Sequence, residues 1–261
     1  MRIAFFGDVV GKGGRRGVVR ALAALRGSEE IDFVIANCEN SAGGIGVDPG
    51  SARELLAAGV NVLTSGNHVW AKREIVEYIT DSDVLLRPAN FAPTTPGWGY
   101  TVKASRHGVP VAVVNLIGRV FMNTYDCPFR TVDTVLEGIG SRARVIVVDM
   151  HAEATSEKVA MGWYLDGRVT AVVGSHTHVQ TADERVLPQG TAYLTDAGMC
   201  GPRDSVIGVK REQVIRRFLT QMPGRFEVAE GVVIVQGAMV DVDEETGRAS
   251  EIRRFQQVIE P

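Results

Sequence analysis

Residues 1–14 read MRIAFFGDVVGKGG and define the unit from which the fold is built. The apolar run Ile3–Phe6 predicts a buried β-strand, and the helical spacing of apolar residues over Gly14–Leu25 predicts a helix after it. Between the two lies Asp8, whose carboxylate is a common type of metal ligand. The pattern therefore indicates a buried strand that ends at a polar side chain and continues into a helix.

The same alternation of strand and helix continues after this first unit. Strands that alternate with helices imply a parallel sheet with right-handed crossovers. The next apolar runs predict strands at Phe33–Ala36 and Asn61–Thr64, followed by helices at Pro49–Ala58 and Lys72–Ile79.

The order of elements changes after Val84, where strands outnumber helices. Two mixed β-sheets with helices outside them satisfy this order, so we expect an α/β fold in a single domain over residues 1–261, with a loop-rich insert around residues 90–130 beside the cleft. The further predicted strands are Tyr100–Ala104 and Val109–Leu116 (a hairpin), Val145–Val148, Thr170–Val173, Ala192–Thr195, Gly231–Val242 and Ser250–Val258, and the helices are Thr131–Ile139 and Lys210–Thr220.

Length, charge and cysteine content restrict the class of protein. The 261 residues suffice for one α/β domain or two small ones, and the formal net charge of -3 lacks the basic surplus of a general nucleic-acid-binding surface. No apolar stretch reaches the ~18 residues that span a bilayer, and the first apolar run is too short for a signal peptide. Cys38, Cys127 and Cys200 lie far apart in sequence, which predicts no disulfide framework and a reducing, cytoplasmic location.

Residue types that bind metals follow five of the predicted strands. In an open α/β sheet, ligands bind beyond the carboxyl ends of the strands, so parallel neighbours would bring these residues into one crevice. Four of the five histidines of the chain lie at such positions. The candidate site residues are Asp8, Glu39, Asn40, Asn67, His68, His151, His176 and His178.

The donor chemistry of these residues favours a transition-metal site. In an extended segment, His176 and His178 project to the same side, so both imidazoles would face one metal cluster. Glu39 has two carboxylate oxygens and can bridge two cations, while Asn40 and Asn67 each offer a carbonyl oxygen. Nitrogen and oxygen donors without thiolate indicate Mn, Fe or Zn, and not Ca or a structural thiolate zinc site.

Each candidate also has a simpler structural explanation when it is taken alone. Asp8 is suited to cap the following helix, Asn67 to hold a tight turn, and His151 to lie hydrogen-bonded in the core. The glycines around Lys12 imitate a phosphate-binding loop, but their spacing is one residue short and Gly13 stands where Ser or Thr is required. The shared position of the candidates at strand ends favours the metal site.

The motifs at these strand ends resemble those of the calcineurin-like metallophosphoesterase superfamily. The segments GDVVGKGGR, ANCENSAGG, TSGNHVW and VGSHTHVQT are similar to the YmdB-type subfamily of cyclic-nucleotide phosphodiesterases. The pieces that match the wider superfamily are Gly7-Asp8, Gly66-Asn67-His68, the lone His151 and Ser175-His176-Thr177-His178.

The chain departs from the wider superfamily at two motifs. Asp8 is followed by Val9 and Val10, where the superfamily has Asp-x-His, and Glu39-Asn40 stands where the superfamily has Gly-Asp. The YmdB-type pattern accounts for both departures, because it implies that Glu39 is the bridging carboxylate and that Asn40 replaces the missing histidine.

The resemblance implies a four-layer αββα sandwich that holds two metal ions, Fe or Mn, with Zn as an alternative. Hydroxide on the metals would attack a phosphodiester, such as a 2′,3′- or 3′,5′-cyclic nucleotide, while His68 protonates the leaving group. A homo-oligomer is also implied, and the apolar run Val232–Val235 would complete a sheet or form a subunit contact. The implied ligands are Asp8, Glu39, Asn40 and His178 for one ion, and Glu39, Asn67, His151 and His176 for the other.

Two other classes of function are compatible with these residues. A regulatory protein could keep the fold and bind a nucleotide or a partner, although the complete ligand set and His68 argue against a degenerate site. A metal amidohydrolase could use similar ligands, although such enzymes usually carry His-x-His on their first barrel strand. Here the His-x-His motif comes late, at residues 176–178.

Substrate specificity is expected from loops around the cleft. These loops are Ser41–Gly46, Gly118–Pro128 and Ala197–Asp204, and the second of them carries Arg119, Asn123 and Tyr125 as candidate contacts to a base or a phosphate.

Overall fold

The structure, a computed structural model that describes residues 1–260, contains two β-sheets packed face to face with helices on their outer sides. The strands are Arg2–Phe6 (β1), Asp8–Val9 (β2), Phe33–Asn37 (β3), Val62–Thr64 (β4), Tyr100–Ala104 (β5), Pro110–Ile117 (β6), Val145–His151 (β7), Ala171–Ser175 (β8), Arg185–Val186 (β9), Ala192–Leu194 (β10), Met199–Pro202 (β11), Val233–Val242 (β12) and Ala249–Ile259 (β13). The α-helices are Gly11–Ser28 (α1), Pro49–Ala57 (α2), Ile75–Asp81 (α3), Pro128–Ile139 (α4), Thr155–Leu165 (α5) and Arg211–Thr220 (α6), and short 3-10 helices lie at Val69–Ala71 and Gly140–Arg142.

Both sheets are mixed. The first has the order β2-β11-β12-β1-β3-β4, with β13 along the other side of β12, and its β1, β3 and β4 run parallel. The second has the order β5-β6-β7-β8-β10-β9, in which β6, β7, β8 and β10 run parallel. β5 and β6 form the predicted antiparallel hairpin, and β12 also pairs antiparallel with β13.

Alternation of side chains along the strands builds the layers. Ile3 and Phe5 of β1 point between the sheets, where they pack with residues of the second sheet such as Val147. Phe6, on the opposite face of β1, belongs to the cluster that α1 covers through Leu22. The outer face of the second sheet is covered in the same way by α4 and α5. Because β1, β3, β6, β7 and β8 are buried on both faces, these central strands consist mainly of apolar residues. The predicted fold class is confirmed.

The helices differ from the prediction more than the strands do. The helix predicted at Lys72–Ile79 is wrong in its first three residues, because α3 begins at Ile75 and is separated from the 3-10 helix at Val69–Ala71. Helix α1 begins at Gly11, three residues before the predicted start. Helix α5 is not predicted from the sequence, because it lacks a clear apolar stripe and instead buries Glu157 and Lys158.

The carboxyl end of the chain completes the first sheet. Val233 pairs with Pro202 of β11 on one side and with Ile259 of β13 on the other, and Val233 and Val235 are buried. The apolar run near Val232 therefore completes the first sheet, as one of the two predicted roles requires. Within residues 1–260, no helix combines the length and the apolar character that crossing a membrane requires.

The strands that end in polar residues belong to both sheets. β1, β3 and β4 lie in the first sheet, and β7 and β8 lie in the second. The five strands are therefore not all neighbours in one parallel sheet. The site is formed where the ends of the two sheets meet, which is a contact between sheets that local sequence patterns do not encode.

Candidate metal centre

The candidate ligands meet at the carboxyl ends of these five strands. Glu39, His151 and His176 each place one ligand atom so that all three atoms lie within 4.8 Å of one another. β7 and β8 pair in register with His151 opposite Ser175, and this pairing positions His176 beside His151. Glu39, which is more than 100 positions away in sequence, thus joins the two histidines in one cluster.

The first donor group is centred on the Nε2 atom of His151. This nitrogen lies 3.3 Å from Glu39 Oε1, 3.1 Å from Asn67 Oδ1 and 3.0 Å from His176 Nδ1. Four atoms that can donate electron pairs to a metal therefore surround one small volume.

The second donor group lies on the other side of Glu39. Asp8 Oδ1 lies 4.0 Å from His178 Nε2, and Asn40 Nδ2 lies 3.1 Å from the same nitrogen. Asn40 Nδ2 also donates a hydrogen bond to Glu39 Oε1 at 3.1 Å, so binding of a metal through Asn40 Oδ1 requires its amide to turn over. Glu39 thus contacts residues of both groups, which is the position that a bridging carboxylate needs.

One buried oxygen supports the fit of a cation to this cluster. Asp8 is fully buried, and its Oδ2 accepts a hydrogen bond from the backbone N–H of His176 at 3.0 Å. Its Oδ1 has no hydrogen-bond partner. A buried carboxylate oxygen without a partner is costly, and a metal ion at this point would satisfy it.

The imidazole of His151 is oriented by a chain of hydrogen bonds. Its Nδ1 lies 2.8 Å from Ser175 Oγ, which donates to Asp149 Oδ1 at 2.6 Å. Asn37 Nδ2 donates to Asp149 Oδ2 at 3.0 Å and so fixes the same carboxylate. Because the hydroxyl of Ser175 donates its proton to Asp149, it accepts a hydrogen bond from Nδ1 of His151. The Nε2 atom of His151 is then the nitrogen that can bind a metal.

The other two histidines show the same division between their ring nitrogens. His176 Nε2 lies 3.1 Å from Glu153 Oε2, and its Nδ1 faces His151. His178 donates through Nδ1 to the carbonyl of Ile207 at 2.9 Å, and its Nε2 faces Asp8. In all three histidines one nitrogen has an acceptor outside the cluster and the other points into it, as is usual for histidines that bind metals.

The charges in the cluster are strongly coupled. Burial raises the pKa of Asp8 to about 6. Burial would also raise the pKa of Glu39, but the charges and hydrogen bonds of His151 and His68 together outweigh burial and lower that pKa to about 2. Burial would lower the pKa of His151, yet the carboxylate of Glu39 raises it to about 9. Burial lowers the pKa of His176 to about 3. Without metal, His151 therefore holds a proton against Glu39, and a cation bound here would release it.

Two interpretations of the sequence are corrected by this geometry. The His176–His178 segment is not extended, because His176 has φ 101° and His178 has φ 64°, both in the left-handed region. The two imidazoles thus reach the cluster by a left-handed turn and not by strand alternation. Asp8 does not cap α1, whose N-cap is Val10 without a side-chain hydrogen bond.

His68 lies at the edge of the cluster. Its backbone N–H donates to Glu39 Oε2 at 3.2 Å, and its ring Nε2 lies 3.2 Å from Asn67 Nδ2. The ring is half-buried, unlike the fully buried ring of His151. The side chain of Asn67 thus faces both histidines and belongs to the site.

Aromatic packing brings one of the predicted specificity loops close to His68. The ring of Tyr125 stacks on Phe91 with centroids 5.0 Å apart, and Phe91 lies 6.3 Å from the ring of Trp70. Trp70 belongs to the 3-10 helix that directly follows His68. In the same loop, Asn123 Nδ2 lies 3.4 Å from the Tyr125 hydroxyl, and Arg119 is exposed.

Sequence reasoning missed the residues that hold the histidines. Ser175 lies in the Ser175-His176-Thr177-His178 motif but was given no role, and Asp149 and Glu153 do not stand out by motif. Asp149 and His151 lie on the same face of β7 because they are two residues apart. This spacing is the one signal in the sequence that could have identified Asp149.

Gly66→Ala is expected to disrupt the centre. A Cβ at this position would lie 2.2 Å from His151 Nε2 and 2.4 Å from Glu39 Oε2, so both side chains would have to move. We expect loss of metal and a fall of about 1–3 kcal/mol in the free energy of unfolding. Elemental analysis and urea unfolding measure the two effects.

Gly27→Ala is the matched control for this substitution. A Cβ at Gly27, near the end of α1, meets no atom within 4 Å. This variant is expected to keep its metal content and to gain about 0.4–1 kcal/mol in the free energy of unfolding. Full metal content in Gly66→Ala would contradict the ligand roles of Glu39 and His151.

The sequence is similar to a known protein family and to a curated enzyme. The sequence matches the family model described as "YmdB-like protein" over residues 4–255. A 2′,3′-cyclic-nucleotide 2′-phosphodiesterase of Bacillus subtilis (strain 168) is 49% identical over 256 residues, which are 98% of this chain and 96% of that protein.

Two crystal structures are similar over the whole chain. A protein from Thermus thermophilus has a TM-score of 0.93 and 41% sequence identity, with 100% of both chains covered. A structure described as a novel phosphatase from Mycoplasma pneumoniae has a TM-score of 0.93 and 34% identity, with 100% of this chain and 94% of that chain covered.

Proposed function

Because the chain belongs to the YmdB-like protein family, we propose that it is a phosphodiesterase that hydrolyses cyclic nucleotides at a dinuclear metal centre. The observation that carries the proposal is the position of Glu39 between two groups of metal-ligand atoms. The outward hydrogen bonds of His151, His176 and His178 support it, because each leaves one ring nitrogen free to bind a metal.

The residues that are present fit two metal ions. Asp8, Glu39, Asn40 and His178 would hold one ion, and Glu39, Asn67, His151 and His176 would hold the other. When bound, such a metal pair supplies a nucleophilic water near neutral pH and holds the phosphoryl oxygens. The donors are nitrogen and oxygen atoms only, which favours Fe or Mn, with Zn as the alternative.

Two carboxylates and one histidine determine the charge of the site and the source of the proton for the leaving group. Asp8 and Glu39 are its two carboxylates, and two divalent cations would outweigh them, so that the cleft attracts an anionic phosphodiester. His68 is the titratable side chain beside the cluster that does not belong to the ligand set, and we assign it the protonation of the leaving alkoxide.

The substrate class follows from the relatives and not from a base-binding pocket. The name of the Bacillus subtilis protein favours 2′,3′-cyclic nucleotides over 3′,5′-cyclic nucleotides. Initial rates with 2′,3′-cAMP, 3′,5′-cAMP and bis-p-nitrophenyl phosphate in the presence of Mn²⁺ test this choice. Turnover of amide substrates alone would favour a metal amidohydrolase, and no turnover together with tight nucleotide binding would favour a regulatory protein.

Protein purified without added metal is expected to contain two metal ions per chain. The reason is the division of the donors into two groups that share Glu39. Elemental analysis gives the number and the identity of the ions. Absence of metal, together with an empty cleft in a crystal soaked in Mn²⁺, would contradict the proposed centre.

We also propose that the protein forms a homo-oligomer in a reducing, cytoplasmic location. Exposed apolar side chains of α6 and its flanks, such as Phe218, Leu219 and Met222, offer a surface for contact between copies. Cys38, Cys127 and Cys200 are all free, which agrees with a reducing compartment. Light scattering at micromolar concentrations tests the oligomeric state.

A further inference from the structure

Asp196 has a buried carboxylate behind the His176–His178 segment, and both of its oxygens accept hydrogen bonds. Asp196 Oδ2 accepts hydrogen bonds from Lys158 Nζ at 2.7 Å, from Thr177 Oγ1 at 2.7 Å and from the backbone N–H of Thr177 at 3.1 Å. Its Oδ1 accepts one from the backbone N–H of Gly198 at 2.9 Å. The side chains of Asp196 and Lys158 are each 1% exposed, so the pair is shielded from water.

Thr177 is the residue through which Asp196 holds the histidine segment. Its neighbours His176 and His178 both have positive φ, a conformation that residues other than glycine keep only when the surrounding structure enforces it. The backbone and the hydroxyl of Thr177 are both bound to the same oxygen of Asp196. Asp196 therefore supplies the external restraint on the left-handed turn that aims both imidazoles.

The Oδ1 atom of Asp196 is linked to Asp8 through Gly198. The carbonyl of Gly198 accepts a hydrogen bond from the backbone N–H of Asp8 at 2.9 Å. Asp8 Oδ2 accepts a hydrogen bond from the backbone N–H of His176 at 3.0 Å. Gly198 has φ 81°, and a Cβ there would lie 2.4 Å from Gln236 Oε1, so glycine is required at this link. The contacts form a closed ring through Asp196, Thr177, His176, Asp8 and Gly198.

We propose that Asp196, with its charge balanced by Lys158, is the positioning residue that holds Asp8, His176 and His178 in the geometry for binding metal. Neither Asp196 nor Lys158 is among the proposed ligands, and both act through Thr177 and Gly198. A single change of Lys158 or Asp196 would leave an uncompensated buried charge and endanger folding. This inference rests on the proposed metal centre, and its test uses variants that keep the interior neutral.

The test compares variants in which the link from Asp196 to the histidine segment is cut or kept. Thr177→Val removes the hydroxyl but keeps the shape, and Thr177→Ser keeps the hydroxyl. Lys158→Met/Asp196→Asn removes both charges together. Thr170→Val is the control for loss of stability. The buried hydroxyl of Thr170 donates to the carbonyl of Gly247 at 2.7 Å and accepts the backbone N–H of Ile146 at 2.9 Å, at the opposite end of β8 from His176.

The measurements are the affinity for Mn²⁺, obtained by competition with a chelator, and the Tm of the metal-free protein. Thr177→Val and the double variant are expected to lose about 10–100-fold in Mn²⁺ affinity, as substitutions of the partners of metal ligands do. Thr177→Ser is expected to keep the affinity of the wild type. Thr170→Val is expected to lower Tm at least as much as Thr177→Val, because it also leaves the backbone N–H of Ile146 without a partner, and to leave the affinity unchanged.

Three results would overturn the inference. Wild-type Mn²⁺ affinity in both Thr177→Val and the double variant would show that the ring does not position the ligands. An equal loss of affinity in Thr170→Val would assign the effect to general loss of stability. A wild-type protein that binds no Mn²⁺ would contradict the metal centre itself, and this result is distinct from the other two.

Discussion

Replacement of Glu39 by alanine is expected to abolish binding at both metal positions and to remove phosphodiesterase activity. Glu39 Oε1 lies 3.3 Å from His151 Nε2 and 3.1 Å from Asn40 Nδ2, so one carboxylate contacts both groups of donors. Substitution of an outer partner of a metal ligand costs about 10–100-fold in affinity, and loss of a shared ligand is expected to exceed about 100-fold for each ion. Titration with Mn²⁺ against a chelator, together with kcat for bis-p-nitrophenyl phosphate, measures both losses.

The Glu39→Ala variant is expected to fold, so the loss is open to measurement. The carboxylate of Glu39 raises the pKa of His151 to about 9 against the effect of burial, which alone would lower it. Without Glu39, burial is the larger influence, and His151 is expected to be neutral at pH 7. No uncompensated imidazolium is then left in the interior, and the Tm of the metal-free variant tests this point.

Two controls separate a bridging ligand from an ordinary one. His178→Ala is expected to lose one ion and to keep the other, because His178 belongs to one donor group only. Glu153→Ala removes the carboxylate that lies 3.1 Å from His176 Nε2. This variant is expected to lower the affinity for one ion by about 10–100-fold. If Glu39→Ala retained both ions at the affinity of the wild type, the bridging role would be wrong.

The central strands could be predicted from sequence because they are buried on both faces. Ile3–Phe6 and Val145–Val148 are apolar without interruption, and Asp8 and His151 mark where each run leaves the core. A polar residue at the end of such a run needs a partner, and this requirement made the candidate ligands visible. The prediction of the family and of the fold class, both confirmed, rested on these positions.

What the sequence did not reveal depends on contacts between distant parts of the chain. The meeting of two sheets at the site depends on the packing of β1, β3 and β4 against β7 and β8. The left-handed turn at His176 is enforced by Asp196, whose sequence neighbours give no sign of this role. Helix α5 was not predicted for a related reason. In the sequence Lys158 looks like a surface residue because it is charged, but in the structure it is buried because it is paired with Asp196.

His68→Ala is expected to keep both metal ions and to lose most of kcat on natural substrates. The contact of His68 with Glu39 runs through its backbone N–H at 3.2 Å, which alanine retains, so the bridging carboxylate keeps this partner. The ring is half-buried beside Asn67 and is free to face a substrate. Removal of a general acid costs about 10²–10⁴-fold in rate.

The nature of the leaving group distinguishes proton donation from other roles of His68. A ribose alkoxide needs a proton as it leaves, so the loss of kcat is expected to be largest for 2′,3′-cyclic nucleotides. Nitrophenolate leaves without a proton, so the loss is expected to be much smaller for bis-p-nitrophenyl phosphate. His107→Ala is the control, because the exposed His107 contacts Asp32 at 3.2 Å and lies outside the cluster. It is expected to behave as the wild type with both substrates.

The outcomes assign the role of His68 by elimination. Loss of a metal ion in His68→Ala would make His68 a ligand, which its backbone contact with Glu39 does not predict. An equal loss of kcat for both leaving groups would exclude proton donation and leave stabilisation of the phosphoryl charge as its role. A loss confined to the alkoxide substrate, with full metal content, would establish His68 as the group that protonates the leaving oxygen, since the metal ions and the attacking water are unchanged in that variant.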